Sequence, residues 1–141
     1  MAERSAPRQA VETVAVVFAL DRLTKWLAGN YLSSSEPFVV IPGFFNLLRT
    51  ENRGAAFSLL AEVEGFLGAG LLIVVSTLAV LAISVALWRT SKDGYKNRRL
   101  RFGLALILGG ALGNLFDRVV RGAVIDFVEL YAGSFHWPAF N

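Results

Sequence analysis

No charged side chain occurs between residues 66 and 88, and this run limits the fold more than any other feature of the chain. It is long enough to cross the hydrocarbon layer of a bilayer as one helix. A soluble domain would interrupt such a stretch with polar residues at helical spacing, to keep one face in water. Composition agrees, with 55% of the 141 residues apolar and only 18% charged. The chain therefore reads as an α-helical membrane protein.

The charges that do occur are unevenly placed. Arg89, Lys92, Lys96, Arg98, Arg99 and Arg101 follow the apolar run against a single acid, Asp93. A basic loop between two apolar segments is a topology signal for the cytoplasmic side. It accounts for most of the formal net charge of +3 without a nucleic-acid partner. The absence of cysteine excludes disulfides, thiolate catalysis and zinc-thiolate sites. One histidine, His136, cannot form a histidine metal cluster, and among aromatics it reads as an interfacial anchor. Neither a metal nor a cofactor is expected.

Two further spans follow from the same reasoning. Residues 1–10 are polar and 11–20 apolar, which imitates a cleaved signal peptide, but the apolar character resumes after Asp21 and Arg22 through Leu23, Trp26, Leu27 and Ala28. The first helix is thus expected over about 11–28, the second over 66–88 and the third over 102–121. Asp21 and Lys25, at i and i+4, read first as a structural ion pair near a helix end, with Lys25 reaching toward the headgroups. A direct chemical role for the pair is the less favoured alternative.

Between the first two spans, Phe38 to Ile41 and Phe44 to Leu48 are β-branched or aromatic runs around a Pro42-Gly43 turn. They predict a small sheet on the membrane surface, within an extracytoplasmic cradle of about 37–58 that includes the small residues Gly54, Ala55 and Ala56. The 127–141 segment, with Tyr131, Phe135, Trp137 and Phe140, is expected at headgroup level. The whole chain, 1–141, reads as one integral membrane domain.

The polar residues of the third span stand out against this apolar background. Asn114, Asp117 and Arg118 fall at i, i+3 and i+4 and share one helix face. Gly109 and Gly113 form a small-xxx-small pair that permits close helix packing. Gly122 is expected to end the helix. The extended residues Ala123, Val124 and Ile125 then hold Asp126 near the outer membrane boundary, on the same side as Asn52. An ionisable group in such a place is a functional candidate.

Four motifs, in this order, resemble the bacterial lipoprotein signal peptidases (signal peptidase II): Asp21-Arg22-x-Thr24-Lys25, Asn52-Arg53-Gly54-Ala55-Ala56-Phe57, Gly109-Gly110-Ala111-x-Gly113-Asn114-x-x-Asp117-Arg118, and Val124-x-Asp126-Phe127. The resemblance covers nearly the whole chain. It implies an intramembrane aspartic endopeptidase of four transmembrane helices with a surface β-cradle. Such an enzyme removes the signal peptide of a prolipoprotein just before the diacylglyceryl-modified cysteine, at the outer face of the bacterial cytoplasmic (inner) membrane. Asp126 matches the first catalytic aspartate. By the same resemblance Asn114 and Arg118 orient substrate and site, and Asn52 and Gly54 belong to the facing cradle. Asp117 is assigned to holding Arg118 and the helix end, because adjacent opposite charges at a membrane boundary usually support structure.

The family's second catalytic aspartate lies in an Asn-x-Ala-Asp motif, and this sequence ends at Asn141, directly after Trp137-Pro138-Ala139-Phe140. The expectation is a truncated copy, inactive as written, whose partner aspartate and fourth helix follow Asn141. Two other readings are open from the residues alone. One is a non-catalytic membrane binding or assembly protein that uses its polar cluster as interhelical glue. The other is a proton or ion relay through Asp21, Asp117 and Asp126, which the placement of all three near one membrane face disfavours.

Overall fold

The computed structural model describes residues 5–54, 66–92 and 97–141. Three long helices carry a small antiparallel sheet at one end. In chain order the elements are α1 (Ser5–Tyr31), β1 (Phe38–Ile41), β2 (Phe45–Asn52), α2 (Phe66–Lys92), α3 (Arg98–Arg121), β3 (Val124–Ala132) and β4 (Phe135–His136). Each helix runs past the span expected for it, because a helix does not stop where the hydrocarbon layer does.

Two of the helices are long and apolar enough to cross a membrane, over Gly68–Lys92 and Arg98–Arg121. The third, α1, has the length, at 27 residues, but Asp21, Arg22 and Lys25 interrupt its apolar character. The expectation of three apolar spans is thus met by two. Along α2, Leu71, Val74, Val75, Leu78, Leu81, Val85 and Trp88 are all exposed. A helix that leaves so many large apolar side chains uncovered matches lipid as its surroundings, not water.

The central helix is α3, which packs along both α1 and α2, whereas those two hardly meet. Its small residues are the reason. A Cβ added to Gly109 would lie 2.6 Å from Val17 Cβ and 3.0 Å from the Val14 carbonyl oxygen, and one added to Gly113 would fall on the Asp21 carboxylate. Glycine spaced at four residues lets α1 approach as closely as its backbone permits. Next to this seam, Ala10, Leu87, Ala105 and Leu108 form the buried core, with Val14, Val80, Ile83, Leu104 and Leu112 packed against it.

The sheet has the order β1-β2-β3-β4. The hairpin of β1 and β2 turns at Gly43, whose φ of 80° suits glycine. Strand β2 then pairs with β3 in a register that sets Thr50 opposite Asp126 and Asn52 opposite Val124. Gly122 ends α3 in the left-handed conformation, with φ 73°, and its N–H donates to the Arg118 carbonyl. The chain turns there directly into β3, which fixes Asp126 four residues past the cap. The sheet is larger than the expected cradle, because β3 and β4 supply half of its strands. Residues 55–58 of the expected cradle lie outside the described residues.

Candidate active site

Asp126 sits on β3 at 4% exposure. Asn52 Nδ2, from the neighbouring strand, donates to Asp126 Oδ2 at 2.9 Å, and Asn141 Nδ2 donates to Oδ1 at 2.6 Å. Asn52 is itself fixed, because its Oδ1 accepts the Gly54 N–H at 3.0 Å. The tail that carries Asn141 is tied along β3: the Phe140 carbonyl accepts the N–H groups of Phe127 and Val128, and the Phe140 N–H donates to the Val128 carbonyl. Burial raises the Asp126 carboxyl above the ordinary aspartate range, against the opposing pull of the two amides and of the nearby Lys25 and Arg118 cations. Such a carboxyl retains a proton more readily than a solvated one.

A cavity of about 270 Å³ opens beside Asp126 and is lined by Asn52, Asn114, Arg118, Val124 and the 137–141 tail. Asn114 and Arg118 are one turn apart on α3, so the helix presents both to the same space. Arg118 Nε is buried and has no hydrogen-bond partner among the described residues. An unfilled buried donor next to a buried carboxyl is the arrangement that an incoming carbonyl or carboxylate would complete.

Asp117 is placed differently from expectation. It is fully buried, but it faces α1 instead of Arg118. Arg22 binds it with both terminal nitrogens, Nη1 to Oδ1 at 2.7 Å and Nη2 to Oδ2 at 2.9 Å, and Lys25 Nζ lies 2.9 Å from its Oδ2. Asp117 and Arg118 lie about 100° apart around the helix, and the structure gives Asp117 to the α1 side of their shared polar face and Arg118 to the cavity side. Its link to the helix end runs instead through Arg121, one turn on at 3.5 Å. Lys25 likewise departs from the expected path to the headgroups. Its Nζ lies 2.9 Å from Asp21 Oδ1, as the i, i+4 spacing requires, but the side chain is fully buried and donates to Asn114 Oδ1 at 2.6 Å. Inward acceptors on α3 outcompete solvent because the glycine seam brings the two helices so close.

Arg22 and Asn141 are the residues whose contacts went unassigned in the sequence. For Arg22 a signal existed: two cations and one acid within a single turn of an apolar helix require another buried acid on a neighbour. Arg22 also packs over the Phe116 ring, 4.8 Å from its centroid. Asn141 carried no signal beyond its place in the family motif.

A family model described as Signal peptidase (SPase) II matches residues 13–141. The chain belongs to the signal peptidase II family. It is 42% identical over 133 residues to the lipoprotein signal peptidase of Solibacter usitatus, an alignment spanning 94% of this chain and 79% of that protein. It is 44% identical over 130 residues to the lipoprotein signal peptidase of Desulforapulum autotrophicum, spanning 89% and 76%. The fold is similar to a bacterial membrane enzyme structure determined in meso at 2.3 Å resolution, with a TM-score of 0.69 and 26% identity over 94% of this chain and 76% of the other. A second such structure, at 1.9 Å, gives a TM-score of 0.67 and 27% identity over 94% and 81%. Signal peptidase II is an aspartic peptidase family, and the chain is a membrane protein of that family.

Proposed function

We propose that Asp126 is one half of the catalytic carboxylate pair of an intramembrane aspartic endopeptidase that cleaves diacylglyceryl-modified prolipoproteins before the lipidated cysteine. The supporting observation is the environment of Asp126: a buried carboxyl, raised by that burial, held on both oxygens by amides and facing a cavity with Asn114 and Arg118. In the family's Asn-x-Ala-Asp motif the second carboxylate follows the residue that Asn141 matches by three positions. In a helix that spacing would put it on the face of Asn141, whose side chain already touches Asp126. Two close carboxylates hold one proton between them. The ionised member takes a proton from water as it attacks the scissile carbonyl, and the protonated member delivers one to the departing amine. Asn114 and Arg118 donate to the substrate backbone, and Asn52 and Gly54 hold the facing wall.

The same reading sets the topology. The basic 89–101 loop is cytoplasmic, and the sheet with the site lies at the extracytoplasmic face of the bacterial inner membrane. Helix α1 crosses as a third span because Asp21, Arg22, Lys25 and Asp117 neutralise one another inside the bundle. A fourth span returns the full-length chain to the cytoplasm. Asp21 and Asp117, each locked between cations, do not form a relay.

The test is cleavage by the full-length protein, in detergent, of one precursor with and without the diacylglyceryl group. Only the modified precursor should be cut, and residues 1–141 alone should cut neither. Equal cleavage of both precursors would refute the substrate class.

A further inference from the structure

Lys25 is fully buried on α1 and has three protons to donate, and three acceptors lie within reach: Asp21 Oδ1 at 2.9 Å, Asp117 Oδ2 at 2.9 Å and Asn114 Oδ1 at 2.6 Å. With Arg22 paired to the same two aspartates and the exposed Arg121 at 3.5 Å from Asp117, both anions are already balanced. Ion pairing alone therefore needs no contact with Asn114. Yet the shortest of the three is the one to the neutral amide, and Asn114 also lines the cavity beside Asp126.

From this geometry we infer that Lys25 is a positioning residue for the peptidase reaction: its ammonium fixes the Asn114 amide so that Nδ2 is offered to the cavity beside Asp126. The chemistry allows one orientation only. An ammonium donates and cannot accept, so the amide oxygen must face Lys25. The Nδ2 group, on a residue that lines the cavity, becomes a preset donor for a substrate carbonyl. Such a donor acts with little reorganisation when charge develops. The ion pairs with Asp21 and Asp117 in turn hold Lys25, and the glycine at position 113 lets Asp21 come close enough to take part. A helix-to-helix charge cluster thus sets a hydrogen-bond donor at the site without any member of the cluster touching substrate.

This inference rests on Asp126 being catalytic, and the experiment separates the two. Kinetics are measured on the full-length protein with lipid-modified precursor. To keep the buried charge balanced, Lys25→Met is made in an Asp21→Asn background and compared with that background alone. It should lower kcat about 100-fold, the scale of a misplaced catalytic group, with KM changed less than about twofold. Adding Asn114→Ala to Asp21→Asn/Lys25→Met should cost almost nothing more, because the two act through one group. Lys25→Gln in the same background, whose amide can still donate to Asn114, should recover part of kcat. Losses that multiply, or no recovery with Gln beyond that of Met, would overturn the inference and leave Lys25 a structural ion-pair residue. If Asp126→Asn still cleaves, the catalytic assignment itself fails.

Discussion

Arg118 shows what a single buried donor contributes. Its Nε has no partner among the described residues, and the planar guanidinium can serve a backbone carbonyl and the Asp126 side of the cavity together, which a lysine ammonium cannot. Arg118→Lys in the full-length protein should lower kcat/KM by about 10- to 100-fold, the range that a lost charge-assisted hydrogen bond sets. The unfolding midpoint in detergent should hardly move, and normal turnover would remove Arg118 from the site. Asp126 also has a pH signature. Because folding raises its carboxyl, its contribution to stability is fully present below the ordinary aspartate range and is lost as pH rises through the raised value. Thermal midpoints of the wild-type chain should therefore fall relative to those of Asp126→Asn as pH rises above the ordinary aspartate range. A constant difference would show that the group is not perturbed. At this scale helix and turn spacing displayed Asn114, Arg118 and Asp126 together, whereas Asn52 joined them only through the membrane topology and the family motif. The partners of Asp117, and those of Lys25 beyond Asp21, were hidden, since they depend on how closely α1 meets α3.

That approach is a property of the helices, and it gives glycines of one element opposite roles. A methyl group at position 109 would meet Val17 and the Val14 carbonyl, and one at 113 would meet the Asp21 carboxylate, whereas at 110 it would meet nothing within 4 Å. Gly109→Ala and Gly113→Ala should each destabilise the protein by about 1–3 kcal/mol through overpacking. Gly110→Ala should be neutral or stabilise by up to about 1 kcal/mol through helix propensity. Denaturation of the three variants in detergent tests the contrast, and equal effects would contradict the α1–α3 seam. The C-terminal end of α3 and the β1–β2 hairpin were legible, from Gly122 and from the Pro42-Gly43 turn. Strand β3 was not. Val124, Ile125 and Asp126 are all buried, so the period-two alternation that marks a half-exposed strand is missing. The tail bonded along β3 and the helices packed beside it are tertiary facts that no local pattern records.

For the molecule as a whole, two apolar helices, a charge-balanced third and an end-mounted sheet make one asymmetric body, with the basic end of α2 and start of α3 opposite the polar cavity. Reporter fusions within residues 89–101 should map to the cytoplasm and fusions near Ser34 to the opposite side. The reverse result would put the cavity on the wrong face for an exported precursor. Membrane character was legible from one uncharged run, whereas the way α1 tolerates Asp21, Arg22 and Lys25 became clear only with Asp117 beside them. The central claim is that Asp126 is one of two carboxylates that share the proton chemistry. The most direct measurement is cleavage and binding of lipid-modified precursor by full-length Asp126→Asn. Asparagine keeps the size and can still accept from Asn52 while losing the ionisable proton, so the variant should insert and bind like wild type but show no cleavage. Retained cleavage would contradict the account.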